Sequence, residues 1–354
     1  MRNVLITGGA GFVGASLAIS FKRDHPSWRI IAFDNLHRRG SELNVPRLKE
    51  NGVDFVHGDV RIAEDLRGVG AFDLLIECSA EPSVLAGYTG SPAYLCQTNL
   101  SGTLNCLETC RKQRSELIFL STSRVYPMEV ISGLEYLEEE TRFRLKPDQD
   151  VPGVSAIGFS EDFPMTGARS LYGATKLCSE LMIQEYFAAF DLKGVIARCG
   201  VIAGPWQMGR VDQGFVALWL ARHLWSGDLR YIGYGGNGKQ VRDILHVDDL
   251  YELLRMMTAR VAQISGSVFN VGGGMDLSVS LHELTGICRK ITGQRIPIAS
   301  VPETRQADIP YYVSDFRRIQ AITGWKPRRG IAEIMKETCA WLRDHEAALR
   351  SILV

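Results

Sequence analysis

Tyr172 and Lys176 stand four residues apart in Ser170-Leu171-Tyr172-Gly173-Ala174-Thr175-Lys176. On a helix that spacing stacks a phenol and an ammonium on one face. A lysine cation beside a tyrosine favours the phenolate, so the phenol can exchange a proton near neutral pH. The chemistry this pair suggests is proton abstraction from a hydroxyl, and it needs an electron acceptor close by.

The amino terminus supplies a place for one. Val4-Leu5-Ile6 reads as a short strand and runs into Thr7-Gly8-Gly9-Ala10-Gly11-Phe12-Val13-Gly14 and then a helical pattern. Gly8 suits a tight turn, Gly11 a close approach of backbone to a diphosphate, and Gly14 close packing of helix on strand. A helix N-terminus offers free N–H groups and partial positive charge to that diphosphate. Asp34, 20 residues beyond Gly14, ends a second strand where an acid accepts from the adenosine ribose hydroxyls, with Asn35 beside it. An aspartate there disfavours a 2′-phosphate, so NAD is expected over NADP, although Arg38 and Arg39 are placed where arginines can accommodate one. Asp59, followed by Val60, ends a third strand, as an acceptor for the adenine amino group or as a helix cap.

These residues must be held by a parallel sheet. Val4–Ile6, Ile30–Phe33, Phe55–His57, Leu74–Glu77, Leu117–Ser121, Gly194–Arg198 and Phe269–Val271 read as buried strands. Helical patterns at Val13–Arg23, Leu66–Val69, Asn99–Gln113 and Tyr172–Phe190 separate most of them. Such alternation predicts a doubly wound α/β fold of Rossmann type. Residues 127–169 have little periodicity and read as an insertion or lid. The helices Leu281–Thr292 and Ile331–Leu349 belong to a smaller, partly interleaved C-terminal substrate domain. The expected division is 1–200 with 240–273 for the nucleotide-binding domain, and 201–239 with 274–354 for the substrate domain.

Composition narrows the partners. The chain has 354 residues, 45% hydrophobic and 23% charged, with 40 basic against 40 acidic side chains. Zero formal charge argues against nucleic acid or an anionic membrane as partner. No apolar run reaches the roughly 20 residues that span a bilayer. The opening segment lacks a signal-peptide layout, and the eight scattered cysteines read as buried free thiols with no metal site. Together these predict a cytoplasmic protein.

The glycine turn, Asp34-Asn35, Gly58-Asp59-Val60, Ser121-Thr122-Ser123 and Tyr172/Lys176, in that order, resemble an extended short-chain dehydrogenase/reductase of the NAD-dependent epimerase/dehydratase family. The resemblance covers nearly the whole chain. It implies that a Ser or Thr four residues before a Val-Tyr tyrosine joins the pair, here Thr122, with Ser123 as the alternative. Thr122 would hydrogen-bond the reacting sugar hydroxyl, Tyr172 would remove its proton, and Lys176 would hold the nicotinamide ribose and lower the tyrosine's pKa. The cofactor contacts implied are Gly8, Gly11, Phe12, Val13, Gly14, Asp34, Asn35, Asp59, Val60, Ser79, Ala80 and Asn99, with Tyr172 and Lys176.

The resemblance also implies a nucleotide-sugar substrate and a homodimer or homotetramer. Dehydratases of the family usually carry Asp-Glu after the catalytic Thr, whereas this chain has Ser123-Arg124, which favours epimerisation. Asp34-Asn35-Leu36, Asp212-Gln213-Gly214-Phe215-Val216 and Gly236 to Asp243 resemble the branch that inverts C2 of a CDP-sugar. Arg242 is the first candidate for the diphosphate, since a guanidinium pairs two phosphate oxygens; its alternative is an ion pair with Asp243 or Asp248. Lys239, Gln207 and Arg305 are further candidates. Glu81 reads as a substrate contact, an aid to proton transfer or a cap before the next helix, and Ser123 and Arg124 are further substrate contacts. Other readings are a 4-epimerase, a reductase, or a catalytically idle NAD-binding scaffold.

Overall fold

The computed structural model describes residues 1–88, 90–211 and 213–353, and these fold into two compact units. The first comprises residues 1–125, 171–198 and 250–269; the second comprises 126–170, 199–249 and 270–354.

The first unit is built on strands β1 (Asn3–Thr7), β2 (Arg29–Asp34), β3 (Asp54–His57), β4 (Leu74–Glu77) and β5 (Glu116–Thr122). With Gly194–Cys199 and Val268–Val271 they form a seven-stranded sheet. Its order, from one edge, is Val268–Val271, Gly194–Cys199, β5, β4, β1, β2, β3. The pairs β1·β2, β1·β4, β2·β3 and β4·β5 are parallel. The order reverses beside β1, and in open α/β sheets ligands bind outside the carboxyl ends of the strands at such a switch. Leu5, Ile31, Leu75 and Leu117 are fully buried in its core. These four are partners in register and share one face; Val4, Ile6, Leu74 and Ile76 are buried on the other, because helices cover both.

Helix α1 (Phe12–Asp24) leaves the end of β1. The predicted helix Asn99–Gln113 is only partly α. Gln97–Ser101 winds as a wider π-turn, and the α-helix runs from Gly102 to Gln113. The reason lies at Asn99, whose carbonyl accepts from Ser179 Oγ at 2.8 Å. π-turns are rare and concentrate at functional sites.

In the second unit the strand Val241–His246 pairs with Val201–Ala203, Ser278–Ser280 and Tyr311–Tyr312. Residues 127–169 carry the short helix Met128–Ser132 and two small hairpins. The first hairpin is fastened at its turn. Phe143 N donates to the Lys239 carbonyl (3.0 Å), and the Arg142 guanidinium forks onto Glu283 (2.8 and 2.6 Å). Glu283 also completes the capping box of the Leu281–Thr292 helix. The predicted helix Ile331–Leu349 breaks at His345, whose Nδ1 lies 3.0 Å from the Trp341 carbonyl. The His345 backbone N–H donates to the same carbonyl (3.1 Å), so one helix closes at Asp344 and another starts at Glu346.

All eight cysteines are free. Among the described residues no helix is long and apolar enough to cross a membrane, and no cluster of three metal-ligating side chains occurs.

Candidate active site and cofactor cradle

The glycine turn is shaped by close contacts. Gly8 has φ 63°, and a Cβ there would lie 2.9 Å from the Cys78 carbonyl. A Cβ on Gly14 would fall 2.1 Å from the Gly8 carbonyl oxygen, so the first turn of α1 sits directly on the loop. The close approach to the neighbouring strand belongs instead to Gly9, where a Cβ would meet Ala32 Cα at 2.6 Å. Sequence reasoning missed Gly9 because its neighbour is a residue of β2, distant in the chain. Gly11 is the N-cap of α1 and brings no side-chain acceptor to the first-turn amides of Phe12, Val13 and Gly14. A bare helix N-terminus against a glycine loop fits a dinucleotide diphosphate.

Asp34 joins β2 to that loop. Its Oδ2 accepts from Ala10 N (3.1 Å) and its Oδ1 from Leu36 N (2.7 Å). Burial pushes its carboxyl up, against these backbone donors and Gly11 N. Asn35 donates to Asp59 (2.9 Å), and Arg61 forks onto the same carboxylate (2.6 to 3.0 Å). Burial opposes the charge of Asp59, but the Arg61 and Asn35 hydrogen bonds outweigh it and bring the pKa to about 2. The Arg61 guanidinium in turn lies over the Tyr94 ring, 4.8 Å from its centroid. Val60 packs into the core beneath the Gly102–Gln113 helix, with its carbonyl accepting from Asn105. Ser79 Oγ donates to Thr7 Oγ1 at 3.1 Å, at the carboxyl ends of β1 and β4, with Ala80 half-buried next to it.

Asn99 ties the next layer together. Its Oδ1 accepts from Glu81 N (2.7 Å), and its Nδ2 donates to the Glu81 carbonyl and to Thr175 Oγ1, both at 3.2 Å. The Glu81 carboxylate accepts from Ser83 N at 3.1 Å, the turn-capping geometry.

Tyr172 and Lys176 lie in the first two turns of the helix Leu171–Phe190, which packs along β5 and the 3₁₀ turn Ser123–Val125 after it. Thr122 is the last residue of β5, and its Oγ1 accepts from Arg124 N at 3.2 Å. The fold therefore brings the strand end bearing Thr122, with Ser123 and Arg124, to the helix bearing Tyr172 and Lys176. Tyr172 is half-buried and Lys176 is 2% exposed. Lys176 Nζ stands 3.7 Å from the centroid of the Phe119 ring.

One turn beyond Lys176, buried Glu180 accepts from the Arg198 guanidinium at 2.7 to 3.1 Å and from Ser121 Oγ. This pair was not singled out from the sequence. Its signal is an acid that continues the four-residue spacing, Tyr172, Lys176, Glu180, on a helix otherwise rich in apolar residues.

In the second unit, Arg242 pairs with Asp308 (3.2 Å) and with the carbonyls of Ile309 and Val241 (both 2.7 Å), not with Asp243 or Asp248. Burial lowers its pKa, with the Asp308 charge acting against that shift. The Asp243 carboxylate accepts instead from Gly274 N and Ser314 N. Lys239 reaches Glu138 of the first hairpin (2.9 Å), and Gln207 Nε2 the Ile202 carbonyl (2.7 Å). Arg305 is half-buried one turn before Asp308. Asp212, in the Asp212–Val216 stretch, lies outside the described residues.

Known proteins resemble this chain in sequence and fold. The sequence profile of the NAD dependent epimerase/dehydratase family matches residues 4–272. The CDP-paratose 2-epimerase of Salmonella typhi is 31% identical over 96% of this chain and 98% of its own. A dTDP-glucose 4,6-dehydratase of Streptomyces antibioticus is 28% identical over 98% of this chain and 93% of its own. The UDP-glucose 4-epimerase of Thermus thermophilus, solved in complex with NAD, superposes with a TM-score of 0.75 at 26% identity, covering 96% of this chain and 99% of that one.

Proposed function

Because the chain belongs to the NAD dependent epimerase/dehydratase family, with NAD as its cofactor, we propose that it epimerises a nucleotide-activated sugar, most specifically a CDP-sugar at C2. The observation that carries this choice within the family is the residue pair immediately after Thr122. Elimination of water needs an acid and a base beside the catalytic Thr, and the chain has Ser123-Arg124 there. Inversion of one carbinol needs a proton acceptor, a hydroxyl to orient the sugar, and the cofactor. The identity to the Salmonella epimerase supports the same choice.

NAD, when bound, takes up a hydride and returns it. The protein's part is proton transfer and orientation. Tyr172 accepts the hydroxyl proton, and the Lys176 charge stabilises its phenolate. Thr122 Oγ1 orients the reacting hydroxyl, while Ser123, Arg124 and Glu81 contact the sugar. Phe12, Val13 and Gly14 offer amides to the cofactor diphosphate, and Asp34 takes its ribose. Arg242, with Lys239, Gln207 and Arg305, is proposed to hold the substrate's nucleotide diphosphate. The same reading includes a cytoplasmic homodimer or homotetramer.

The test is a thermal-shift panel of CDP-, UDP-, GDP- and dTDP-sugars followed by turnover assays. A CDP-sugar should stabilise most and epimerise with no net NADH release. The T122A/Y172F variant should keep bound NAD and lose turnover. Steady NADH release, or epimerisation by that variant, refutes the assignment.

A further inference from the structure

Strand β4 ends on a buried carboxylate that the proposed chemistry has not used. Glu77 is 1% exposed. Its Oε1 accepts from Thr103 Oγ1 at 2.6 Å, while its Oε2 is buried without a hydrogen-bond partner. A buried carboxylate oxygen in that condition calls for a nearby positive charge.

Register shows where the charge is. Glu77 is paired with Phe119 of β5, so the two side chains emerge on the same face of the parallel sheet. Lys176 stands on that face, its Nζ 3.7 Å above the Phe119 ring. Burial holds the Glu77 carboxyl above its ordinary range, with the Lys176 charge and the Thr103 hydroxyl acting against that rise. The thiols of Cys106 and Cys110 feel the Glu77 charge, and burial pushes both up and keeps them protonated. Its strand neighbour Thr7 on β1 is uncharged. The cation acting on this carboxylate is therefore Lys176.

We propose that Glu77 is a positioning residue, the counter-charge that holds Lys176 as an ammonium over the Phe119 ring. An amine removed from water gives up its proton readily, and a neutral Lys176 offers Tyr172 no charge. The ring face and the carboxylate both favour the protonated amine. Glu77 thus supplies from within the sheet what solvent supplies to an exposed lysine. The inference rests on the reading of Lys176 as the partner of Tyr172.

The test is E77Q, which keeps the side-chain volume and an acceptor for Thr103. The 15Nζ resonance of Lys176, assigned by its loss in K176M, is titrated in the NAD-bound wild type and E77Q, and kcat is followed against pH in both. In E77Q the Lys176 midpoint should fall by about one pH unit or more, and the basic limb of kcat should move the same way, with bound NAD unchanged. An unmoved Lys176 midpoint overturns the proposal whatever happens to activity. If the wild type turns over no nucleotide sugar, the functional reading fails, and the Lys176 titration still decides the role of Glu77. Should E77Q not fold, the 13Cδ signal of Glu77 in the wild type decides. A carboxylate ionised at neutral pH supports the counter-charge, and a carboxyl protonated there overturns it.

Discussion

Replacing Glu180 with Gln tests whether a buried ion pair fastens the helix Leu171–Phe190. Three contacts from the Arg198 guanidinium and one from Ser121 converge on this carboxylate, and the side chains of the pair are 1% and 7% exposed. The amide keeps the shape but abandons a buried cation. Breaking one partner of such a pair costs about 3–5 kcal/mol. For a unit of this size about 1 kcal/mol moves the melting temperature by 2–4 °C, so E180Q should melt roughly 6–20 °C below the wild type. Calorimetry of the NAD-bound protein measures this. The double variant E180Q/R198M removes the stranded charge, and apolar replacement of both partners is often neutral. It should therefore regain most of the loss. An E180Q protein melting within about 2 °C of wild type, under 1 kcal/mol, refutes the pairing as a support. A double variant as unstable as E180Q refutes the stranded charge as the cause. Ser121 immediately precedes Thr122, so kcat should fall in E180Q below the melting transition.

Two further outcomes concern the cofactor end. G14A should lose bound NAD, because its Cβ would lie 2.1 Å from the Gly8 carbonyl oxygen and must push α1 off the loop; NAD content of the purified variant at 260 nm checks this, and full occupancy would contradict it. Asp59 has a folded pKa of about 2, below its unfolded value of about 3.9. Its contribution to stability should be whole above about pH 3.9 and vanish as pH falls toward 2. R61M should flatten that part of the acid-unfolding curve, and an identical acid limb in R61M would show that Arg61 is not the cause.

Much of the first unit was legible because its strands are short apolar runs bounded by turns. Leu74–Glu77 was read with the same ends that the structure shows, and so was the helix Leu281–Thr292. The helix Leu171–Phe190 was read to within one residue. The hairpins of residues 127–169 were not legible. Strands of two or three residues carry too little alternation to register, and they are held by distant partners such as Lys239, Glu283 and Val313. Thr122, Tyr172 and Lys176 were visible as types and spacings. Glu77 and Glu180 were not, because each draws its meaning from residues far along the chain: Phe119 and Lys176 for one, Arg198 and Ser121 for the other. A buried acid at the end of an apolar run looks like the run's polar boundary until its neighbours are known.

The π-turn at Gln97–Ser101 acts as a phase shifter. One extra residue in a turn rotates everything beyond it by about a residue's 100° step. Within the turn, Asn99 can aim at Glu81 and Thr175; downstream, the helix can still press Cys106, Leu107 and Cys110 into the core. A regular helix would have to surrender one of those orientations. The segment is thus a place where chain length, more than residue identity, sets the geometry: removing a single residue there would turn the Asn99 amide away while leaving every side chain of the cradle unchanged.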